Sequence, residues 1–179
     1  MVTEHAAALR GMALCRALTA AELDAIAAIV EKRDVDAGRE LFREGEPGDG
    51  LYLLLAGEIN VVKRGKDGEH LLAKLGAGAV LGEMSLITAD ARSATGRALT
   101  QASVLRLPAT QFRALLDAGS TAALKIAAAV AEVLARRLAT MNNLVLGLTA
   151  AAQSPAAAAS AMSTQSLRDL HRTMQVWSI

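Results

Sequence analysis

Residues 79–99, AVLGEMSLITADARSATGRAL, place an acidic and a basic side chain at a spacing that suits a small polar ligand. Glu83 directly follows Gly82, and Arg92 lies nine residues after Glu83. A carboxylate accepts hydrogen bonds from sugar hydroxyls, and a guanidinium offers a planar fork of donors to phosphate oxygens. Spacing alone favours a plainer interpretation, an ion pair on a surface loop. The predicted elements around the pair favour the ligand site over the surface ion pair.

Backbone groups near the pair add a second anion-binding feature. If residues 82–85, Gly-Glu-Met-Ser, open a helical turn, the amides of Met84 and Ser85 lack partners within the helix and form an anion site. Ser93 and Ala94 directly follow the arginine, so a hydroxyl and a small residue lie beside the guanidinium.

The composition indicates a chain of ordinary domain size. With 179 residues, 53% hydrophobic but only 2% aromatic, it suits one domain with an aliphatic, alanine-rich core. A formal net charge of +1 gives no electrostatic footprint for nucleic acid or anionic lipid. The single Cys15 excludes an internal disulfide and fits a reducing compartment. Since we find neither a signal peptide nor an apolar run of roughly 20 residues, we expect a cytoplasmic protein without membrane contact.

Helices are predicted before the central part of the chain. Residues 4–16 have high helix propensity and dominate an N-terminal helical extension over residues 1–17. Thr19, with Glu22 three residues later, predicts a capping box at the start of a second helix that continues to about Glu31. Its apolar face consists of Leu23, Ile26, Ala27 and Val30.

Short apolar runs separated by frequent glycines follow between residues 35 and 107, which is typical of a β-barrel or jelly roll. The runs cover residues 40–42, 51–56, 59–63, 69–75, 80–81, 95–99 and 103–107. Asp67-Gly68 between two runs predicts a two-residue hairpin turn. The predicted fold class is α+β, mainly β: an antiparallel β-roll with flanking helices over residues 18–120.

Two helices are predicted after the roll, the first from Pro108 to Leu116 with Phe112 on its apolar side. The second, over residues 121–149, carries an a/d heptad seam typical of a two-stranded coiled coil. The seam consists of Leu124, Ala127, Ala131, Leu134, Leu138, Met141, Val145 and Leu148. A second stripe, which would pack the helix on the roll, consists of Ile126, Val130 and Val133. We favour a parallel homodimer through residues 124–148; the alternative is that both stripes form one wide core face of a monomer.

The last part of the chain changes in composition. Residues 150–165, rich in Ala, Ser and Gln, indicate a mobile linker. Residues 166–179 predict a short amphipathic element with an apolar side formed by Leu167, Leu170, Met174 and Trp177. Because it is too short to be stable alone, it would act as a lid, as a docking peptide, or pack on the dimer's own apolar surface.

Together these features resemble the cyclic nucleotide-binding domain family, which includes the bacterial catabolite activator protein and the regulatory subunits of cAMP-dependent protein kinase. The resemblance covers residues 18–148. It rests on Gly45, Gly57 and Gly78, and above all on residues 82–95, GEMSL…ARSAT. The family's phosphate-binding cassette is a Gly-Glu, a short helix, and an Arg followed by Ser, Thr or Ala and then Ala. We call residues 82–95 the cassette.

The resemblance implies a role for each side chain of the pair. Glu83 would accept from the ribose 2′-hydroxyl, and Arg92 would pair with the cyclic phosphate, whose single charge one desolvated arginine can neutralise. Ser93, with the amides near Ser85 and Ala94, would complete the phosphate cradle. The floor of the base pocket would be formed by Val61, Leu72, Ala73 and Leu75.

The resemblance also suggests how the base is read. In the catabolite activator, polar residues of the dimer helix meet the base from both subunits. The matching region here would bring Thr140, Asn142 and Asn143 within reach, and an asparagine amide can read the exocyclic group of adenine or guanine. The alternative is that these side chains are simply solvated. A small hydroxyl residue at the position of Ser93 is compatible with binding of either cAMP or cGMP. We favour cAMP over cGMP.

One departure limits the resemblance, because the catabolite activator continues into a winged helix-turn-helix. Here 31 residues follow Leu148, and much of this segment has low complexity, so we expect no DNA contact. His5, His70 and His171 are scattered, so neither a metal site nor a catalytic dyad suggests itself. We expect a receptor, not an enzyme, that passes the cyclic nucleotide signal to an effector protein by population shift. The alternatives are a scaffolding dimer with a vestigial pocket and a phosphodiesterase, for which we find no metal ligands.

Overall fold

The computed structural model describes residues 2–88 and 90–153. Its helices are α1 (Val2–Arg10), α2 (Ala20–Ala27), α3 (Glu83–Thr88), α4 (Ala109–Asp117) and α5 (Thr121–Gln153), with a 3-10 turn at Ala13–Cys15. Its strands are β1 (Glu31–Val35), β2 (Glu40–Phe42), β3 (Gly50–Ala56), β4 (Ile59–Gly65), β5 (Gly68–Leu75), β6 (Val80–Leu81), β7 (Thr95–Ala98) and β8 (Ala102–Pro108). The predicted linker from residue 154 onwards and the predicted element over residues 166–179 lie outside the described residues.

The strands form two antiparallel four-stranded sheets, in the orders β1-β8-β3-β6 and β2-β7-β4-β5. Strand β3 pairs with β8 along its whole length, from Gly50 opposite Pro108 to Ala56 opposite Ser103. Aliphatic side chains from both sheets, together with Tyr52, form one core cluster. The predicted mainly-β roll with helices at both ends is confirmed.

Two local predictions in this region are wrong. The helix predicted to continue to about Glu31 ends at Ala27, and residues 31–35 form β1 instead. The first four of these residues are charged, and all five are exposed or half-buried, so they lack the alternation that identifies a strand. The charges suit an edge strand paired with β8. The hairpin turn is shifted by one residue. Gly68 (φ +122°) pairs with Gly65 inside the ladder, which leaves Lys66 and Asp67 as the turn.

The N-terminal helices differ from the prediction in one respect. The single helix predicted over residues 4–16 is divided at Gly11, a poor helix former, into α1 and the 3-10 turn. The predicted capping box of α2 is confirmed. The Thr19 N–H donates to Glu22 Oε2 at 2.7 Å, and the Glu22 N–H donates to the Thr19 hydroxyl at 3.3 Å. Both helices join α4, α5 and the other face of the β3–β8 pair in a second apolar core.

Helix α5 presents its two predicted stripes differently. Ile126 and Val130 are buried in the second core, which confirms that this stripe packs the helix on the body of the protein. In contrast, the exposed fractions of the seam residues Leu124, Leu138 and Met141 are 55%, 60% and 59%. Two other seam residues, Ala127 and Leu134, are half-buried and pack against the second core, so the body of the protein covers the seam only in part.

The structure also extends α5 beyond its predicted end. Residues 150–153, assigned to the linker, are helical because alanine is the best helix former and neither glycine nor proline occurs between residues 148 and 153. Among the described residues, no single helix is long and apolar enough to cross a membrane. By length and composition, α4 and residues 121–147 meet that test only as a pair bent by 118°.

Candidate functional site

One cavity contains most of the side chains singled out by the sequence. It lies between α3, β6 and the hairpin β4–β5, it opens to solvent, and its volume is about 80 Å³. The lining residues are Phe42, Val61, Leu72, Leu75, Val80, Leu81, Gly82, Glu83, Met84, Ser85, Arg92, Ser93 and Ala94. Ten of the fourteen predicted site residues are among them.

Arg92 is the positively charged side chain among the residues that line this cavity, and it is only 3% exposed. Its Nη2 donates to Asp49 Oδ1 at 2.5 Å and to the Gly50 carbonyl at 2.8 Å. Its Nη1 donates to the Gly82 carbonyl at 3.2 Å. The guanidinium is therefore oriented by groups that precede and begin β3.

Two aromatic rings support the guanidinium of Arg92. The rings of Phe42 and Tyr52 stack with centroids 5.7 Å apart, and Arg92 Cζ lies 4.5 Å and 5.3 Å from the two centroids. Its Nε is buried and has no hydrogen-bond partner among the described residues. A buried donor without a partner costs about 1–3 kcal/mol unless an acceptor reaches it.

Glu83 is buried, 5% exposed, and it forms an ion pair with a residue of the long helix. Arg137 of α5 donates through Nη1 to Glu83 Oε1 and through Nη2 to the Val80 carbonyl, the latter at 3.2 Å. A carboxylate has about four acceptor positions, so this ion pair is compatible with a further hydroxyl donor. The carboxylate of the cassette is thus joined directly to α5.

Asp49 joins Arg92 of the cassette to the sheet that contains β1 and β8. Its Oδ2 lies 2.8 Å from Arg106 Nε, and Arg106 in turn donates to Glu31 at 2.8 Å. Burial raises the pKa of Asp49, but hydrogen bonds from Arg92 and Tyr52 and the positive charges of Arg106 and Arg92 outweigh burial and lower the pKa. The ionised carboxylate therefore balances the charge of Arg92 at neutral pH.

Two glycines allow the cassette to lie this close to its supports. A Cβ at Gly48 would lie 2.1 Å from Cβ of Ser85, so the loop before β3 touches α3 only because no side chain intervenes. Gly82 has a φ of +73°, and a Cβ there would lie 2.0 Å from Nη1 of Arg92. Side chains at these positions would displace either α3 or the arginine.

Four predicted site residues do not line the cavity. Ala73 is fully buried in the core between the sheets, where its single methyl group faces Val61 across the hairpin. On α5, Thr140 is half-buried, whereas Asn142 and Asn143 are exposed. The two asparagines follow Arg137 by five and six positions, and at about 100° per residue they project away from the face that Arg137 turns to the cassette.

Four residues that support the site were missed by sequence reasoning: Phe42, Asp49, Tyr52 and Arg137. Asp49 lies between two glycines, where a polar residue is ordinary in a turn, and the aromatic pair looks like core. Arg137 did carry a signal. It continues the buried stripe of α5 four residues after Val133, and a charge at a core-facing position predicts a buried partner.

A sequence model of the cyclic nucleotide-binding domain matches residues 32–118. The crystal structure of a cyclic nucleotide-binding domain from Methylobacillus flagellatus is 27% identical, with a TM-score of 0.70, covering 81% of this chain and 82% of that chain. The structure of a cyclic nucleotide-binding-like protein from Brucella abortus is 32% identical, with a TM-score of 0.55, covering 64% of this chain and 98% of that chain.

A curated relative shares more than the roll. The CRP-like cAMP-activated global transcriptional regulator of Mycobacterium tuberculosis is 31% identical over 126 residues, which are 68% of this chain and 54% of that protein. The chain thus spans about half the length of this regulator, and it spans as little as 6% of another curated relative.

Proposed function

The chain belongs to the cyclic nucleotide-binding domain family, and from this premise we propose that it is a receptor for cyclic AMP that relays binding through α5 to an effector protein. The observation that carries the proposal is Arg92. It is 3% exposed, stacks on two rings, and has a buried Nε without a partner among the described residues, at the wall of a largely apolar cavity. A cyclic phosphate supplies acceptor oxygens for such a group.

The nucleotide would span the cavity from the cassette to the hairpin. Its phosphate would contact Arg92, the Ser93 hydroxyl and the amides near Ser85 and Ala94, while Glu83 accepts from the ribose 2′-hydroxyl. The base would lie on the apolar wall formed by Val61, Leu72 and Leu75. Burial of Glu83 and Arg92 supports this placement, because hydrogen bonds to charged groups are stronger where water is excluded.

The relay would start at Glu83, since this carboxylate would bind the ribose and already pairs with Arg137 of α5. A ribose hydroxyl that binds Glu83 would weaken or reorient its ion pair with Arg137, and so favour one position of α5 over another. Because the nucleotide binds the two arrangements with different affinity, it shifts the population towards the arrangement that it binds more tightly. Near its start, α5 is tied to α2 by Lys125, whose Nζ lies 2.8 Å from Glu22. A shift of the helix would therefore reach the N-terminal helices.

A homodimer along the seam of residues 124–148 is part of the proposal. It would cover the exposed seam residues Leu138 and Met141. With Leu138 at position a, Arg137 occupies position g and Asn142 position e, and g and e residues face each other across a parallel coiled coil. Asn142 of the partner subunit would then lie beside Arg137, at the mouth of the cavity, whereas Asn143 would stay in solvent.

We infer cAMP as the ligand in preference to cGMP, and a protein as the effector. The cAMP-activated regulator of M. tuberculosis supports the nucleotide, and an asparagine amide at the base edge suits the adenine amino group as an acceptor. The net charge of +1 supports neither DNA nor a membrane as the partner. We propose that the receptor acts in the cytoplasm.

Titration calorimetry with cAMP and cGMP tests the proposal. The wild type should bind cAMP more tightly than cGMP, and Arg92→Ala should raise the Kd for cAMP by about 100-fold, since a charged hydrogen bond contributes about 1.5–3 kcal/mol. Arg97→Ala is the matched control. Arg97 pairs with Glu40 and Glu69 and does not line the cavity, so its removal should leave the Kd unchanged. No binding by the wild type at millimolar nucleotide overturns the receptor.

A scaffolding dimer with a vestigial pocket is the second candidate, and one observation favours it. Asp49 already neutralises Arg92, so the cavity does not need a bound anion to remain folded. On this interpretation the wild type gives no heat with either nucleotide, and its affinity for a partner protein does not depend on nucleotide.

A further inference from the structure

Lys63 lies where the cassette leaves the sheet. Strand β4 pairs with β7 from Ile59 opposite Ala98 to Val62 opposite Thr95, and the ladder between them stops there. Lys63 is the next residue of β4, and its Nζ donates to the carbonyl of Ser93 at 2.8 Å. The Lys63 side chain thus adds one further hydrogen bond between β4 and the cassette, just beyond the last backbone pair.

The same ammonium group is held by the loop that supports Arg92. Glu44 Oε1 lies 3.7 Å from Lys63 Nζ, and Glu44 Oε2 accepts from the Arg64 N–H at 2.9 Å. The Glu44 N–H donates to the Thr95 hydroxyl at 2.9 Å. These contacts fix the position of the lysine head group although half of its side chain is exposed.

The peptide unit between Ser93 and Ala94 connects the contact at Lys63 with the cavity. The carbonyl of Ser93 and the N–H of Ala94 belong to one planar trans peptide, so they point in opposite directions. Anchoring the carbonyl at Lys63 therefore turns the Ala94 N–H to the other side of the peptide. Ser93 and Ala94 both line the cavity, whereas Lys63 does not.

We propose that Lys63 is a positioning residue of the anion site: it orients the Ser93–Ala94 peptide so that its N–H faces a bound phosphate, and it places a second positive charge behind the cradle. This inference rests on the proposed function, because it concerns the same cavity.

The test compares four proteins by calorimetry with cAMP at low and high salt: wild type, Lys63→Met, Lys63→Arg and Lys74→Met. Lys63→Met should raise the Kd by about 5- to 10-fold, because a charged hydrogen bond to the cradle is lost. It should also make the Kd less dependent on salt, since a charge near the phosphate is lost. Lys63→Arg keeps the positive charge and the hydrogen-bond donors, so it should retain most of the wild-type affinity for cAMP.

Lys74→Met is a matched control. The side chain of Lys74 is 51% exposed against 50% for Lys63, and it also pairs with a glutamate, Glu58 at 2.9 Å. Within the described part of the chain, no hydrogen bond or ion pair joins Lys74 to the cassette. It should bind as the wild type does. Thermal melting checks that all variants are folded, and Lys63→Gln replaces Lys63→Met if the latter melts early.

The outcomes separate the two proposals. If the wild type binds cAMP but Lys63→Met binds equally well, or if Lys74→Met weakens binding as much as Lys63→Met, the role of Lys63 is wrong and the receptor stands. If the wild type binds no cyclic nucleotide, the receptor is overturned and the role of Lys63 with it.

Discussion

Arg92 and Glu83 each have a charged partner from a distant part of the chain, Asp49 and Arg137 respectively. Removing an ionisable group from water costs several kcal/mol, so a buried charge is tolerated only when it is paired and hydrogen-bonded. Each pair also joins the cassette to another element, the start of β3 in one case and α5 in the other. The residues expected to hold the ligand are therefore the same residues that attach the cassette.

Asp49 should make stability depend on acid pH. Its pKa is lowered in the folded chain, so its carboxylate stabilises the fold fully above its unfolded-state pKa of about 4, and this contribution is lost as pH falls through the folded-state value. Asp49→Asn removes the titrating group. We expect its free energy of unfolding to be lower at neutral pH and to fall less steeply below about pH 4 than that of the wild type.

Urea unfolding at several pH values between about 2 and 7 measures this slope. Asp24→Asn removes a carboxylate from an exposed position of α2 and should keep the steepness of the wild type. Equal slopes for Asp49→Asn and the wild type would show that Asp49 is not a titrating support of Arg92.

The ligand-facing half of the site could be predicted, but its supporting half could not. Glu83, Arg92 and Ser93 lie in one short segment, so their proximity follows from local spacing. Asp49 lies 43 positions from Arg92, and Arg137 lies 54 positions from Glu83. These contacts depend on how the sheets and α5 are packed, and spacing along the chain does not encode that.

Helix α3 depends on its neighbours for its position. It has only six residues, Glu83–Thr88, and so short a helix is not stable alone. On one side the loop at Gly48 touches Ser85, and on another Arg137 holds Glu83. The position of the cassette is therefore set by the elements that pack against it.

Gly48→Ala should move α3 and weaken both stability and binding. The new Cβ would lie 2.1 Å from Cβ of Ser85 and 2.8 Å from the carbonyl oxygen of Asp90, so one side must give way. Overpacking of this kind costs about 1–3 kcal/mol, measurable by urea unfolding, and the shift of Ser85 should raise the Kd for cAMP.

Gly76→Ala is the control, because a Cβ there meets no atom within 4 Å. It should unfold and bind as the wild type does. If Gly48→Ala matches Gly76→Ala in both measurements, the contact between the loop and α3 does not position the cassette.

The predictability of each element follows its burial. The buried strands β3 and β6 could be read from apolar runs between glycines, because burial selects apolar residues. Strand β1 could not, since its residues Glu31–Val35 are exposed or half-buried and it forms only because β8 lies beside it. The end of α5 at Gln153 was missed for a different reason: alanine suits a helix as well as a low-complexity segment.

In the whole molecule, α5 is the element that leaves the body. Up to Arg137 it packs on the second core and the cassette, but the side chains described between residues 138 and 147 are exposed, apart from half-buried Thr140. A helical segment of this length is marginal in water without a packed face. Its exposed apolar residues Leu138 and Met141 lie on the a/d seam, so a second copy along the seam would supply that face.

Leu138→Asp should therefore convert a dimer into a monomer. In a parallel coiled coil the two position-a residues face each other, so the substitution would bury two carboxylates of like charge. Sedimentation should give the mass of two chains for the wild type and of one chain for Leu138→Asp. Ala139→Asp adds the same charge at the adjacent exposed position b and should remain dimeric.

The monomeric Leu138→Asp variant should also bind cAMP more weakly than the wild type, because Asn142 of the partner subunit no longer contacts the base. A wild type that sediments as one chain at all concentrations, or a Leu138→Asp variant that stays dimeric, contradicts the seam as the dimer interface.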